Sequence, residues 1–147
     1  MRKIPLNVEF FAGSLRIIAV FLLRSEDPHL FIPIRAIVDT GSPVTLIGPL
    51  DMKRTRISKV QLAKLQGKHK PVNIGGGQIF TIVLEKAKLK FGDFEVEMSV
   101  DFPIKGEDNS LQPSLLGIDF LLKTKAKLIF NPSDKEAYFE IEDGAVK

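Results

Sequence analysis

Ala36-Ile37-Val38-Asp39-Thr40-Gly41-Ser42-Pro43-Val44-Thr45-Leu46-Ile47 places a carboxylate at the end of one apolar run and just before another. Ile34 to Val38 is apolar and largely β-branched apart from Arg35, which predicts a strand buried on both faces. A charged group where a buried strand breaks is costly unless it is hydrogen-bonded. Thr40, Gly41 and Ser42 supply backbone N–H groups and hydroxyls suited to holding it. Alone, such a tetrapeptide reads as a strand, an Asp-Gly-type turn and a second strand, because short motifs recur by chance. The apolar flanks, and a second feature far downstream, give it more weight here.

The 147 residues suit a single domain with a real core, spanning 1–147. Hydrophobic residues make up 44% and charged residues 27%, an ordinary globular balance. Eleven Phe against one Tyr and no Trp predict a core filled by apolar rings. There is no Cys, which excludes disulfides, thiol catalysis and thiolate metal sites. His29 and His69 stand far apart, without ligand-like spacing, so no metal site is expected. The net charge of +3 is mild, and the run Lys53-Arg54-Thr55-Arg56 reads as a solvated basic face rather than a nucleic-acid contact. Arg2 and Lys3 precede an apolar region, but Asn7, Glu9 and Arg16 interrupt it. Ile17 to Leu23 is too short to span a membrane and poor as a signal segment, so a strand and a cytoplasmic protein with no membrane partner are expected.

In chain order, Leu6 to Ala12 and Leu15 to Leu23 predict two strands around a Gly13-Ser14 turn. Arg24 to His29 predicts a loop, and Phe31 to Val38 the strand that delivers Asp39, with Pro33 marking an edge or bulge. Gly48-Pro49 ends that unit. Ser58 to Gln66 is the clearest helix: Ser58 and Gln61 have capping-box spacing, Ile57 can staple onto Leu62, and Gly67 terminates it. Gly75, Gly76 and Gly77 lack the Lys-Ser/Thr pair of a phosphate loop, and strand-like sequence follows them, so a β-hairpin tip is the better reading. Ile79 to Phe91 and Phe94 to Phe102 predict strands joined by Gly92-Asp93. In the second, apolar residues alternate with Glu95, Glu97, Ser99 and Asp101, as in a half-buried antiparallel strand. Leu115-Leu116-Gly117 predicts a strand end before a short helix. Ala126 to Phe130 and Ala137 to Ile141 predict two last strands. About nine short strands and one or two helices make the chain mainly β.

Asp39-Thr40-Gly41-Ser42 between apolar strands, a glycine-rich hairpin about 35 residues later, and Leu115-Leu116-Gly117 before a short helix form an ordered set. Together they resemble the retropepsin-like aspartic proteases, the single-lobed, retroviral-type enzymes and their relatives. The resemblance covers about residues 31–132, with 1–30 as additional strands. It implies a closed, mainly antiparallel barrel and two lobes sharing one active site. It makes Asp39 the catalytic aspartate and Thr40 the residue whose hydroxyl bonds across the dimer. Gly41 becomes the N–H that supports the carboxylate, and Ser42 the small residue that bonds its outer oxygen. Leu115, Leu116 and Gly117 become the brace of the catalytic loop, and Ile74, Gly75, Gly76 and Gly77 the flap over the substrate. Asp119 is read as a helix-start or structural residue, since Asp favours such positions. The segment Leu50 to Lys70 is longer than in compact viral enzymes, and the flap tip lacks an obvious aromatic or polar anchor.

The resemblance implies an aspartic endopeptidase. A single D-T-G motif supplies a single carboxylate, so the lobe is expected to pair as a homodimer, with Asp39 facing its copy, on an extended peptide or protein substrate. No cofactor and no metal are implied. A different reading is a catalytically idle lobe that dimerises or binds peptides, since a fold can persist without activity. A nucleic-acid-binding barrel using Lys53 to Arg56 is the weakest reading, given the mild charge and few exposed aromatic candidates.

Overall fold

The structure is a computed structural model, and it describes residues 1–58, 61, 70–74, 77–103 and 112–144. Strands β1 (Arg2–Phe11) and β2 (Ser14–Ser25) form the expected hairpin. Its two-residue turn is Ala12-Gly13, one position before the expected pair, because Ser14 already pairs with Phe11. Both turn residues have positive φ, +50° and +81°, the left-handed conformation that fits the twist of the flanking strands.

Strand β3 (Leu30–Val38) runs antiparallel along β2 from Ile18↔Ile37 to Ser25↔Leu30. Leu30, Ile32, Ile34 and Ala36 are buried, while Phe31, Pro33 and Arg35 face solvent. The expectation of a strand buried on both faces is therefore corrected. Arg35 sits in the middle of that run and bonds Glu9 at 2.6 Å across the outer face.

Helix α1 (Pro49–Thr55) follows the Asp39 segment, where no helix was expected. Its signals are local: Pro in the first turn, Asp51 near the N-terminus, Lys53 and Arg54 in the last turn. The basic run thus lies largely on this helix, and Arg54 bonds Asp51 at 2.7 Å and the Pro33 carbonyl at 3.2 Å. Further on, Ser58 N–H donates to Gln61 Oε1 at 2.8 Å and Gln61 N–H to Ser58 Oγ at 3.1 Å, the reciprocal bonds of a capping box. The rest of the helix expected from Ser58 to Gln66 lies outside the described residues.

Strand β4 (Lys70–Ile74) pairs with β5 (Gly77–Phe91), and β5 turns at Gly92-Asp93 into β6 (Phe94–Pro103). The register of β5 against β6 shifts between Leu84 and Ala87, a bulge that no residue pattern announced. Val96, Met98, Val100 and Phe102 are buried on β6 as the alternation predicts, but Asp101 is buried too. Strand β7 (Leu115–Leu116) lies parallel to the end of β3 and leads into α2 (Ile118–Thr124). The last two strands, β8 (Lys127–Asn131) and β9 (Glu136–Ile141), form a hairpin, and β9 pairs with the first half of β1.

The architecture is mainly β and almost wholly antiparallel, with two named helices among the described residues. Among the described residues the sheet is not closed into a barrel, which corrects that expectation. Its ladders follow an open path, β4-β5-β2-β1-β9-β8, with β3, β6 and β7 attached beside it. Leu46, in the segment leaving Asp39, meets Asp101 and Leu115 by isolated bridges instead of a ladder. The segment bends too sharply after Asp39 to continue as a paired strand.

Inside, Phe21, Phe91, Phe120 and Phe139 form a chain of tilted rings with centroids 5.2, 5.2 and 5.0 Å apart. Such a pair adds about 0.5–1.5 kcal/mol beyond the area it buries. The rings join β2, β5, α2 and β9 into one core, as the phenylalanine-rich composition predicts.

Candidate active site

Asp39 stands where β3 ends. Its N–H donates to the Leu116 carbonyl at 2.9 Å, which fixes the backbone at the break. The chain then turns, with the Ser42 N–H on the Asp39 carbonyl at 3.1 Å. Inside this turn the Gly41 N–H donates to Asp39 Oδ1 at 2.9 Å. A Cβ at residue 41 would sit 3.2 Å from that same oxygen, so a side chain would crowd the carboxylate. Asp39 is half-buried, while Thr40 and Gly41 are exposed. The result is a carboxylate at an open rim, oriented by a backbone donor.

Leu115 and Leu116 clamp the loop from below. Leu115 exchanges two backbone bonds with Leu46, at 2.8 and 2.9 Å, and the Ile37 N–H donates to the Ser114 carbonyl at 2.9 Å. Gly117 is packed against the loop itself. A Cβ there would overlap the Val44 carbonyl and lie 2.8 Å from the Ser42 carbonyl oxygen. The next residue, Ile118, donates its N–H to that Ser42 carbonyl at 2.9 Å.

Beneath the loop lies a polar knot. Thr45 is fully buried and donates its N–H to Asp119 Oδ2 at 2.9 Å and its hydroxyl to Asp119 Oδ1 at 2.8 Å. The Gly117 N–H donates to Thr45 Oγ1 at 3.2 Å. The Phe120 N–H donates to Asp119 Oδ1 at 2.8 Å, at the start of α2. Asp119 therefore acts as a brace between the helix and the loop. A second clasp stands beside it: Ser114 Oγ accepts the Gly48 N–H at 2.8 Å and donates to Asp51 Oδ2 at 2.6 Å.

The structure brings together Asp39, Gly41, Ser42, Leu115, Leu116 and Gly117. Thr40 sits at the exposed rim. Ile74 and Gly77 close the described β4–β5 ladder as partners, and Gly75 and Gly76 lie outside the described residues. Ser42 departs from expectation. It is buried, and its hydroxyl donates to the Val44 carbonyl at 2.7 Å, so it stiffens the turn instead of bonding the Asp39 carboxylate. Sequence reasoning missed Thr45, Ser114 and Asp51 as braces. A signal existed for Thr45, a lone hydroxyl within an apolar run. Ser114 and Asp51 become partners only through the fold.

Among the described residues no group of His, Cys, Asp or Glu could hold a metal ion, and no helix is long and apolar enough to cross a membrane. A cleft of about 420 Å³ lined by Arg24, His29, Lys86, Lys88 and Glu97 lies away from Asp39 and includes no residue of its loop.

By sequence, the chain matches no family model and no curated protein. Solved structures match it by shape. EIAV protease, in complex with an inhibitor, superposes with a TM-score of 0.52 at 14% identity, over 83% of this chain and 100% of its own. A retropepsin-like aspartic protease from Rickettsia conorii superposes with a TM-score of 0.59 at 14% identity, over 94% of this chain and 89% of its own. The chain has the fold of the retropepsin-like aspartic proteases.

Proposed function

We propose that the protein is an aspartic endopeptidase whose site is completed by a second copy of the chain. The observation that carries this reading is the Asp39 carboxylate itself. It stands at an open rim, held by the Gly41 N–H, on a loop clamped from below by Leu115, Leu116 and Gly117. A turn of no chemical use has little need for so much bracing around an acid.

Hydrolysis by this route needs two carboxylates, and a C2 pair of lobes supplies them as Asp39 and its symmetry copy. Two carboxyl groups at hydrogen-bond distance cannot both ionise cheaply, so they share a proton, and the apparent pKa values belong to the pair. This is a general property of aspartic protease dyads, not one deduced from this chain. The ionised partner takes a proton from the attacking water, and the protonated one donates to the scissile carbonyl. An extended substrate would add as a strand beneath the β4–β5 tips, its side chains alternating into pockets. In such a pair the hydroxyl of Thr40, a residue exposed at the rim, would bond the partner loop.

The idle-lobe reading draws on a specific observation: the Ser42 hydroxyl is engaged with Val44 and not with the catalytic carboxylate. Inhibition separates the two readings. A peptide analogue carrying a tetrahedral hydroxyl should block cleavage, because it displaces the water held between the carboxylates and resembles the transition state. Chelators and thiol reagents should have no effect. Loss of cleavage in chelator, restored by added metal, would contradict the mechanism; cleavage of no peptide by the concentrated protein would favour the idle lobe.

A further inference from the structure

Strand β6 alternates as its sequence predicts until Asp101. Glu95, Glu97 and Ser99 face solvent, and period-two alternation assigns Asp101 to their side. Yet Asp101 is only 1% exposed. The segment leaving the Asp39 loop lies against it. The Asp101 N–H donates to the Thr45 carbonyl at 2.9 Å, and its carbonyl accepts the Ile47 N–H at 2.9 Å. The side chain reaches the neighbouring strand, where Oδ2 accepts the Thr81 hydroxyl at 2.6 Å, and Thr81 is 0% exposed. In register Thr81 faces Pro103 and Asp101 faces Val83, so this is a diagonal cross-strand contact.

A buried carboxylate is unfavourable unless hydrogen bonds satisfy it, and an apolar residue would occupy the place without that penalty. What the carboxylate adds is direction. Thr81 lies four residues along β5 from Gly77, which pairs with Ile74 at the end of the β4–β5 ladder. Thr45, on the other side, is bound to Asp119 and lies six residues after Asp39. Asp101 thus joins the root of the β4–β5 arm to the segment that carries the candidate catalytic acid.

We propose that Asp101 is a positioning residue. Through Thr81 it sets the β4–β5 arm, and through Thr45 and Ile47 it sets that arm against the Asp39 loop. The inference rests on reading Asp39 as a peptidase residue and the arm as the element that holds substrate. Loosening the root of the arm should then weaken the hold on substrate more than the chemistry.

The test compares Thr81→Val, which removes the hydroxyl and keeps the shape, with Thr81→Ser, which keeps the hydroxyl. Asp101→Asn is the companion, and the Thr81 pair carries the test if that variant does not fold. Expected for Thr81→Val is a folded protein whose KM for a peptide substrate rises about tenfold on losing the buried hydrogen bond to Asp101, with a smaller change in kcat. Deuterium exchange at the amides of 70, 72–74 and 77–81 should quicken, and Thr81→Ser should restore both readouts. A packing role would lower the unfolding midpoint and leave KM and the exchange of the arm unmoved; that result overturns the proposal. If the wild type cleaves no peptide, the peptidase reading fails, and exchange alone still decides the tie: quickened exchange upholds it, unchanged exchange refutes it.

Discussion

Asp39→Asn should abolish peptide hydrolysis while leaving the fold in place. The amide is nearly isosteric with the acid, and its oxygen can still accept the Gly41 N–H that now reaches Oδ1. What it cannot do is take a proton from water at neutral pH. General acid–base catalysis contributes about 10²–10⁴-fold, and in the proposed mechanism one dyad would supply both the acid and the base, so a loss in kcat/KM at the upper end of that range or beyond is expected. The measurement is cleavage of a peptide library by purified variant, with circular dichroism to show that it is folded. Cleavage at the wild-type rate would remove Asp39 from the chemistry and with it the peptidase reading.

Gly117→Ala should give the largest loss of stability from the smallest change. The added methyl has nowhere to go: it would overlap the Val44 carbonyl, lie 2.5 Å from the Val44 carbonyl carbon and 2.8 Å from the Ser42 carbonyl oxygen. All three atoms are backbone, so relief requires the loop or α2 to shift. Overpacking of this kind costs about 1–3 kcal/mol, and more where backbone must move. The same shift would pull the Ile118 N–H away from the Ser42 carbonyl and disturb the turn around Asp39. Denaturant unfolding checks the stability, and peptide cleavage per folded molecule checks the turn. By contrast, Gly13→Ala meets no atom within 4 Å, so its penalty is confined to the strain of its positive φ. A Gly117→Ala variant as stable as the wild type would show that the loop and helix are not packed as described.

The part of the site legible in the sequence is the part built from neighbours along the chain. Asp39, Gly41 and Ser42 share one turn, so the residues alone put N–H groups within reach of the carboxylate, and the resemblance points to Gly41 among them. The Leu115-Leu116-Gly117 brace came with the family resemblance; the residues alone give only an apolar strand end before a short helix. Elements joined by tight turns were also legible, as at Gly92, where a φ of +62° suits glycine. The rest depends on contacts far apart in sequence. Alternation along β6 cannot show that a loop 54 residues upstream will cover Asp101, since the cover, Leu46 to Ile47, comes from another part of the fold. The direction of the Ser42 hydroxyl was illegible for a similar reason: Asp39 and Val44 both offer an acceptor within a few residues, and the turn geometry chooses. Helix α1 was missed although its signals are local, because the proline that starts it reads equally well as the end of a strand. The open path of the sheet was hidden because single bridges and full ladders leave the same residue pattern.

In the proposed enzyme one active site takes an Asp39 from each of two copies. A mixing experiment tests it most directly. Wild-type chain and a ninefold excess of Asp39→Asn chain are refolded together, and cleavage is compared with the same wild-type amount refolded alone at equal total concentration of folded protein, made up with an inert carrier. Random pairing leaves about one wild-type chain in ten with a wild-type partner, so activity should fall about tenfold, since mixed pairs hold one competent carboxylate. Sedimentation of the wild type should show a dimer at the assay concentration. Full activity in the mixture, from a chain that sediments as a monomer, would mean that the second acid comes from the same chain, and the two-copy site would be wrong.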